Sequence, residues 1–298
     1  TRPAEDHLHI AIELNPEEVD ARQMLGHLYL LHKRFKEAEM EFLELSKIDP
    51  YNDEYLATLG DLAKLQHNWN IAIDFYLAAY RANPSAIKPV EQALQISLNA
   101  ELYDRGEEIC DILVKDDSQN QQYWETYRDL TLFNKHYEKS LKAIGMLESL
   151  NGVSIKSLLQ KSAIQQELND TNEALALLHD AFMIDSVNSD VLQRLISIYL
   201  ELEKFDNAII YNEKFIRHFP DDPRGFVNRA ILALNEAKPE DAVIALAPHI
   251  KKFQKDYITQ YLLGTAYYQL KDYINAEDHL TSALSIFPES RNTKHTLA

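Results

Sequence analysis

The residues best able to do chemistry in this chain are its histidines, its cysteine and its many carboxylates, and their spacing assembles no reacting centre. The eleven histidines are dispersed, and no H-E-x-x-H is present. His7 and His9 are two residues apart, which on a helix puts them on different faces. A zinc site needs three or four converging ligands, so these two read as solvated surface groups. Cys110 is the single cysteine, which excludes a disulfide framework and a thiolate cluster. With no histidine placed beside it, it reads as an inert thiol and not as a nucleophile. Neither G-x-x-x-x-G-K-[ST] nor G-x-G-x-x-G occurs, so a loop that cradles phosphate is unsupported. Paired carboxylates act as acid and base only in a cleft that holds them, and the sequence marks no such cleft. Asn169-Asp170-Thr171 is a glycosylation triplet of the kind chance supplies. Lys251-Lys252-x-x-Lys255 lies near an expected helix end, where cations stabilise the C-terminus. No catalytic residue, metal ligand or cofactor is assigned, and the chain does not read as an enzyme.

The elements that hold these residues follow from composition. At roughly 150 residues per domain, 298 residues suggest two globular domains or one repetitive array. Hydrophobic residues make up 46%, enough for a sizeable core. Only 7 Gly and 10 Pro suit a helical chain better than a loop-rich or all-β one. Lys+Arg 30 against Asp+Glu 47 gives a net charge of −17, a surface that repels the phosphates of nucleic acid. No run of 18 apolar residues exists, so no segment reads as a membrane span. The chain does not open on Met, and Thr1 to Leu8 already read as a helix start.

A fixed period organises the chain. Gly26 to Gly60 is 34 residues, and Gly26 to Gly264 is 238, seven times that step. Pro16, Pro50 and Pro84 keep the same step, and Pro220 and Pro288 lie two steps apart. A second register holds Ala4, Ala38, Ala72, Gly106, Ser140, Ala174, Ala208, Ala242 and Ala276, 34 apart and all small. The copy Leu25, Gly26, Tyr29, Ala38, Phe42, Pro50 and the copy Leu263, Gly264, Tyr267, Ala276, Leu280, Pro288 resemble the tetratricopeptide repeat family. Trp124 sits at the Trp position of its own copy. The resemblance covers essentially the whole chain. It implies an all-α solenoid of helical hairpins, wound as a right-handed superhelix.

In each copy the first helix runs for about 14 residues, turns, and returns as a second of similar length. Small residues at the Gly26 and Ala38 positions let the two backbones approach, and the Tyr29 and Phe42 positions fill the space between them. Cys110 falls in the Phe42 slot, a core position. One hairpin cannot bury its own apolar faces, so neighbours must stack. Residues 1–298 are expected to form one array. Residues 1–18 would be the second helix of a partial repeat, and 19–290 eight repeats starting at Val19, Asp53, Ile87, Gln121, Ile155, Ser189, Pro223 and Tyr257. Residues 291–298 would begin a further copy, with Leu297-Ala298 in phase with Leu25-Gly26. Such ends, without polar caps, suggest a fragment of a longer array.

The middle copies depart from the pattern. The Gly26 position reads Gly60, Leu94, Arg128, Ser162, Ile196, Ala230 and Gly264 in the later copies. Leu94, Arg128 and Ile196 are bulky, and Ser118, Gly152 and Ser186 replace the repeat-end proline. Looser or altered stacking is therefore expected across about 118–188. Pro248 should kink or shorten a second helix running from Asp241 to Phe253. Asn212 in the Phe42 slot is expected at a partly exposed spot.

The resemblance implies a concave face lined by the first helices. Positions 2, 5, 9 and 12 of each copy form one helical stripe, with position 6 beside it. In the N-terminal copies this stripe carries Asp20, His27, Glu54, Asp61, Glu91, Glu125 and Asp129, opposed by Lys64 and Lys88. In the C-terminal copies it carries Arg194, Arg224, Asn228, Tyr261 and Tyr268, opposed by Asp190. Residues 1–118 hold 11 Lys+Arg and 23 Asp+Glu, net −12, whereas 119–298 hold 19 and 24, net −5. A basic ligand would be drawn to the N-terminal half. Arg194, Arg224 and Asn228 could grip a carboxylate, and Tyr261 and Tyr268 could anchor an apolar contact. The two-carboxylate clamp of some family members finds no match in three consecutive copies, because Gln193 and Ser197 precede Asn228, and Ile258 and Leu262 follow it. The expected function is a non-catalytic scaffold that binds a segment of another protein or peptide within a larger assembly. The alternative is the recognition or assembly arm of a larger multidomain enzyme or of a polysaccharide or protein export machine.

Overall fold

The structure, a computed structural model, describes residues 2–251 and 255–297. Lys252 of the basic cluster, Phe253 at the expected helix end and Ala298 lie outside the described residues. Among the described residues there are eighteen α-helices, one short 3-10 turn and no strand. They form two compact units, residues 1–152 and 153–298.

The first unit runs α1 (Arg2–Leu14), α2 (Val19–Leu31), α3 (Phe35–Ile48), α4 (Asp53–Leu65), α5 (Trp69–Ala82), α6 (Lys88–Asn99), α7 (Tyr103–Asp116), α8 (Gln121–Phe133) and α9 (Tyr137–Asn151). The second runs α10 (Ile155–Glu167), α11 (Thr171–Ile184), α12 (Ser189–Glu201), α13 (Phe205–His218), α14 (Pro223–Asn235), α15 (Pro239–Leu246), α16 (Tyr257–Gln269), α17 (Tyr273–Ile286) and α18 (Arg291–Leu297). First helices open at the repeat starts, with α6 one residue late.

Two backbone devices recur at the repeat step. Asn52, Asn120, Ser154, Asn188, Asp222 and Asp256 each cap the following first helix through a side-chain oxygen on a backbone N–H, satisfying donors that the helix leaves orphaned. Ala86 stands in that register and has no such oxygen, and Ile87 takes the capping place of α6. Each turn between paired helices places one residue in the left-handed region: Lys33, His67, Glu101, Lys135, Asn169, Glu203, Ala237 and Lys271. The next residue's N–H then bonds back across the turn, as in Arg34 N–H to Tyr29 O at 2.9 Å and Lys238 N–H to Ala233 O at 2.8 Å. This closes the helix C-terminus in a Schellman-type turn, here without the usual glycine.

The hairpins pack by paired volumes. A methyl group at Gly26 would lie 2.9 Å from Phe42, at Gly60 2.8 Å from Tyr76, and at Gly264 2.6 Å from Leu280. Where the first position is bulky, its partner in the register is smaller: Leu94 faces Cys110, and Ile196 faces Asn212. Leu94 and Ile196 are both buried, so their bulk is absorbed by the smaller partner. Arg128 is accommodated differently, with its guanidinium turned onto Asp129 at 2.8 Å. Cys110 is fully buried, and burial pushes its thiol up to about 12.

One sequence expectation is corrected, and the shortening expected at Pro248 is observed. Asn212 is not partly exposed but 1% accessible, and its Nδ2 donates to Gly225 O at 3.0 Å. The second helix around Pro248 spans Pro239–Leu246 and gives way to a 3-10 turn at Ala247–His249. The proline lacks the N–H that would continue the helix. Lys251 and Lys255 thus lie past the helix end that they were expected to stabilise.

Candidate partner-binding faces

In the first unit the acidic residues of the first helices are held in place by neighbouring groups. Tyr76 Oη, on the second helix of the same hairpin, donates to Asp61 Oδ1 at 2.6 Å. Tyr123 Oη, on the next first helix, donates to Glu91 Oε1 at 2.6 Å. Burial and then the Glu91 carboxylate push the Tyr123 phenol up to about 12, so it stays a donor at neutral pH. Glu125 accepts from Gln121 at 2.8 Å. Asp129 is paired with Arg128, which reduces its share of the negative field. Glu54, Asp61, Glu91 and Asp129 are exposed and Glu125 is half-buried. An anionic face with little compensating charge results, with Lys64 and Lys88 as the opposing groups of the stripe.

In the second unit the expected residues separate. Arg224 and Asn228 line a cavity of about 500 Å³ together with Gln193, Ser197, Pro223, Val227, Ile231, Asp256 and Ile258. These residues come from α12, α14 and the start of α16, three successive first helices. Arg224 is already engaged: its Nε and Nη2 meet Asp222 at 3.0 and 2.7 Å, and Asp190 lies 3.9 Å away. Asp222 holds the guanidinium even more firmly charged than usual. Asn228 Nδ2 donates to Gln193 Oε1 at 2.9 Å. Arg194 reaches Leu159 O at 3.5 Å and does not line the cavity. Tyr261 stacks on Tyr257 at 6.0 Å. Tyr268 is exposed and borders a separate cavity of about 380 Å³ with Tyr273. Arg194, Tyr261 and Tyr268 are therefore not brought together with Arg224 and Asn228.

Sequence reasoning missed the cavity's apolar floor of Val227, Ile231 and Ile258. A signal was present. These residues stand in stripe positions that carry Glu91, Asp61 and Glu54 in earlier copies, and an apolar residue at an otherwise polar, outward position marks a contact surface. Among the described residues no three His, Cys, Asp or Glu side chains gather as a metal site, and no helix is long and apolar enough to cross a membrane.

The comparisons agree with this architecture. Tetratricopeptide repeat models match residues 2–53 and 258–290. No curated protein sequence shows significant similarity. Among solved structures, the APC/C hetero-tetramer Cut9-Hcn1 matches with a TM-score of 0.51 at 14% identity, over 99% of this chain and 58% of that one. Naa15/Naa10 bound to HypK-THB matches at 0.55 and 16%, over 98% and 57%. PilW, a type IV pilus biogenesis factor, matches at 0.53 and 15%, over 70% and 97%. The chain thus spans less than two thirds of the first two solved chains. At such identities these likenesses show the fold. With the family matches at both ends and the hairpin recurring at the repeat step between them, the chain carries tetratricopeptide-type repeats in an all-helical hairpin fold. Repeats of this kind support a protein–protein interaction scaffold, and nothing here shows catalytic activity.

Proposed function

We propose that the chain is a non-catalytic scaffold, one array of hairpins that holds a basic segment of another protein against the faces of its first helices. The observation that carries this reading is the asymmetry between those faces. The first unit offers Glu54, Asp61, Glu91, Glu125 and Asp129 on successive first helices, two of them fixed by tyrosine hydroxyls. Preset carboxylates cost less to order on binding than free ones, and their field favours a basic partner. The second unit adds the apolar floor of Val227, Ile231 and Ile258, rimmed by Arg224, Asn228 and Asp256. That cavity suits an apolar side chain of a partner segment. Arg224 and Asn228 act mainly as walls there, since Arg224 Nε and Nη2 already donate to Asp222 and Asn228 Nδ2 donates to Gln193. Arg194, Tyr261 and Tyr268 would contact the segment outside the cavity. Two of the structural neighbours carry assemblies in their descriptions, which accords with a holding role.

The test uses a fluorescent 15-residue peptide of alternating lysine and leucine, with a glutamate and leucine peptide as control. The lysine peptide is expected to bind the chain more tightly, and Glu54→Lys with Glu91→Lys to weaken it by about tenfold or more. Equal affinity for the two peptides, or no loss in the charge-reversed variant, overturns the reading.

A further inference from the structure

The second unit has another cavity, of about 400 Å³, on the other side of α14. Arg224, Val227, Asn228 and Ile231 line the first cavity, whereas Phe226, Arg229 and Ala233 line this one. At 3.6 residues per turn these two sets lie on opposite faces of the helix. The walls come from α13 and α15, the second helices of two successive hairpins.

Two local departures from the repeat meet here. The slot filled by Phe42, Tyr76, Cys110, Ile144, Leu178, Leu246 and Leu280 in other copies holds Asn212. Its Oδ1 is shielded from water and has no donor, a cost that a stability-optimised slot avoids. The second departure is α15, which stops after 8 residues where α13 has 14. Beyond that stop His249 turns back to stack on Phe226, ring centroids 3.9 Å apart. The cavity therefore has an aromatic wall as well as aliphatic ones.

Its surroundings say what fits. Ile244 lines the cavity and is 69% exposed, so the apolar surface continues to the mouth, which suits a side chain of a polypeptide better than a small solute. Carboxylates outnumber cations around it: Glu213, Glu236 and Asp241 against Arg229 and Lys238. Glu213 is paired with Arg229 at 2.6 Å and Glu236 with Lys238 at 2.7 Å, leaving Asp241, exposed at the first turn of α15, as the excess charge.

We propose that this cavity seats an aromatic side chain of a basic partner segment, on the side of α14 opposite to the first-helix face. The chain then has two separate places to hold protein, and the aromatic anchor distinguishes the second. This proposal does not rest on the first-helix reading. The aromatic ring would pack against Phe226 and Ala233, with neighbouring lysine or arginine heads near Asp241 and Glu236. Removing an aromatic ring from water on both faces is a common source of anchoring.

The experiment titrates the whole chain with Lys-Lys-Phe-Lys-Lys, Lys-Lys-Ser-Lys-Lys and Glu-Glu-Phe-Glu-Glu, read by anisotropy and by methyl NMR of the isoleucines. The basic aromatic peptide is expected to bind about tenfold more tightly than either control and to shift the methyls of Ile209 and Ile244. Ala233→Leu, which fills the cavity, should erase the preference for Phe over Ser. Glu236→Gln with Asp241→Asn, both at the surface, should erase the excess of the Ile209 and Ile244 methyl shifts caused by the basic aromatic peptide over the acidic one, even if the filled variant folds poorly. Absence of either preference, its survival in the variant meant to erase it, or shifts confined to Ile231 and Ile258 overturns the proposal.

Discussion

The two units use the same 34-residue hairpin and fill it in different ways. In the first, glycine meets a large ring: Gly26 with Phe42 and Gly60 with Tyr76. The ring is locked because a single added carbon would collide with it, and Tyr76 uses its hydroxyl to fix Asp61. In the second, Ile196 with Asn212 conserves something of the volume but leaves an amide oxygen without a donor beside a cavity. The contrast teaches that a repeat pair is a constraint on summed volume and not on either residue. Slack in the sum here lies next to a surface cavity.

The largest expected effect tests the locked pair. Tyr76→Ala should lower stability by about 3–5 kcal/mol, seen as a lower urea midpoint, whereas Asn212→Ala should cost less than about 1 kcal/mol, since the orphaned oxygen goes with the amide. Equal losses would erase the contrast between the units.

Next comes the buried carboxylate of the first unit. Glu107 is 3% exposed and accepts from Asn134 at 2.8 Å, His136 at 2.7 Å and Lys139 at 2.6 Å. Burial alone raises its pKa, but the hydrogen bonds from Lys139, Asn134 and His136 outweigh that and hold it below the usual carboxylate range. A carboxylate depressed in the folded state contributes stability above its unfolded pKa, and that stability is lost as the pH falls through the folded value. Acid titration of the melting temperature should therefore show a decline below about pH 4.3 that is shallower in Glu107→Gln. The substitution itself should cost about 1–3 kcal/mol at neutral pH. A Glu107→Gln variant with an unchanged acid limb would remove this group from the account.

A smaller effect of opposite sign should come from the turns. Ala237 holds φ 56° with no side chain to gain by it, so Ala237→Gly should raise stability by about 0.5–1 kcal/mol. Thermal unfolding of the variant reads this directly, and a lower melting temperature would mean that the left-handed turn carries little strain. The smallest effect is expected at Arg224. With Asp222 and Asp190 already on its guanidinium, Arg224→Ala should change the affinity for the glutamate peptide by less than about twofold. A large loss would restore it as a carboxylate grip.

The hairpins were legible because periodicity is a property of residue order. The step from Gly26 to Gly60 and the small register from Ala4 to Ala276 located the first-helix starts to within one residue. The capping oxygens at Asn52, Asn120 and Asn188 lie in the same register and could have been read with it. The acidic stripe of Glu54, Asp61 and Glu91 was legible for the same reason, since helical spacing alone places side chains on a face. What order could not reveal was engagement. Whether Arg224 is free depends on the side-chain geometry of Asp222 two residues away, and whether Asn212 is buried depends on its packing beside α14. Whether Val227 and Ile258 share a cavity depends on helices 31 residues apart. A hydrogen bond or a void is decided by the last ångström of packing between such helices. Residue order determined the hairpin and its charge, and tertiary contact decided which groups remain available to a partner.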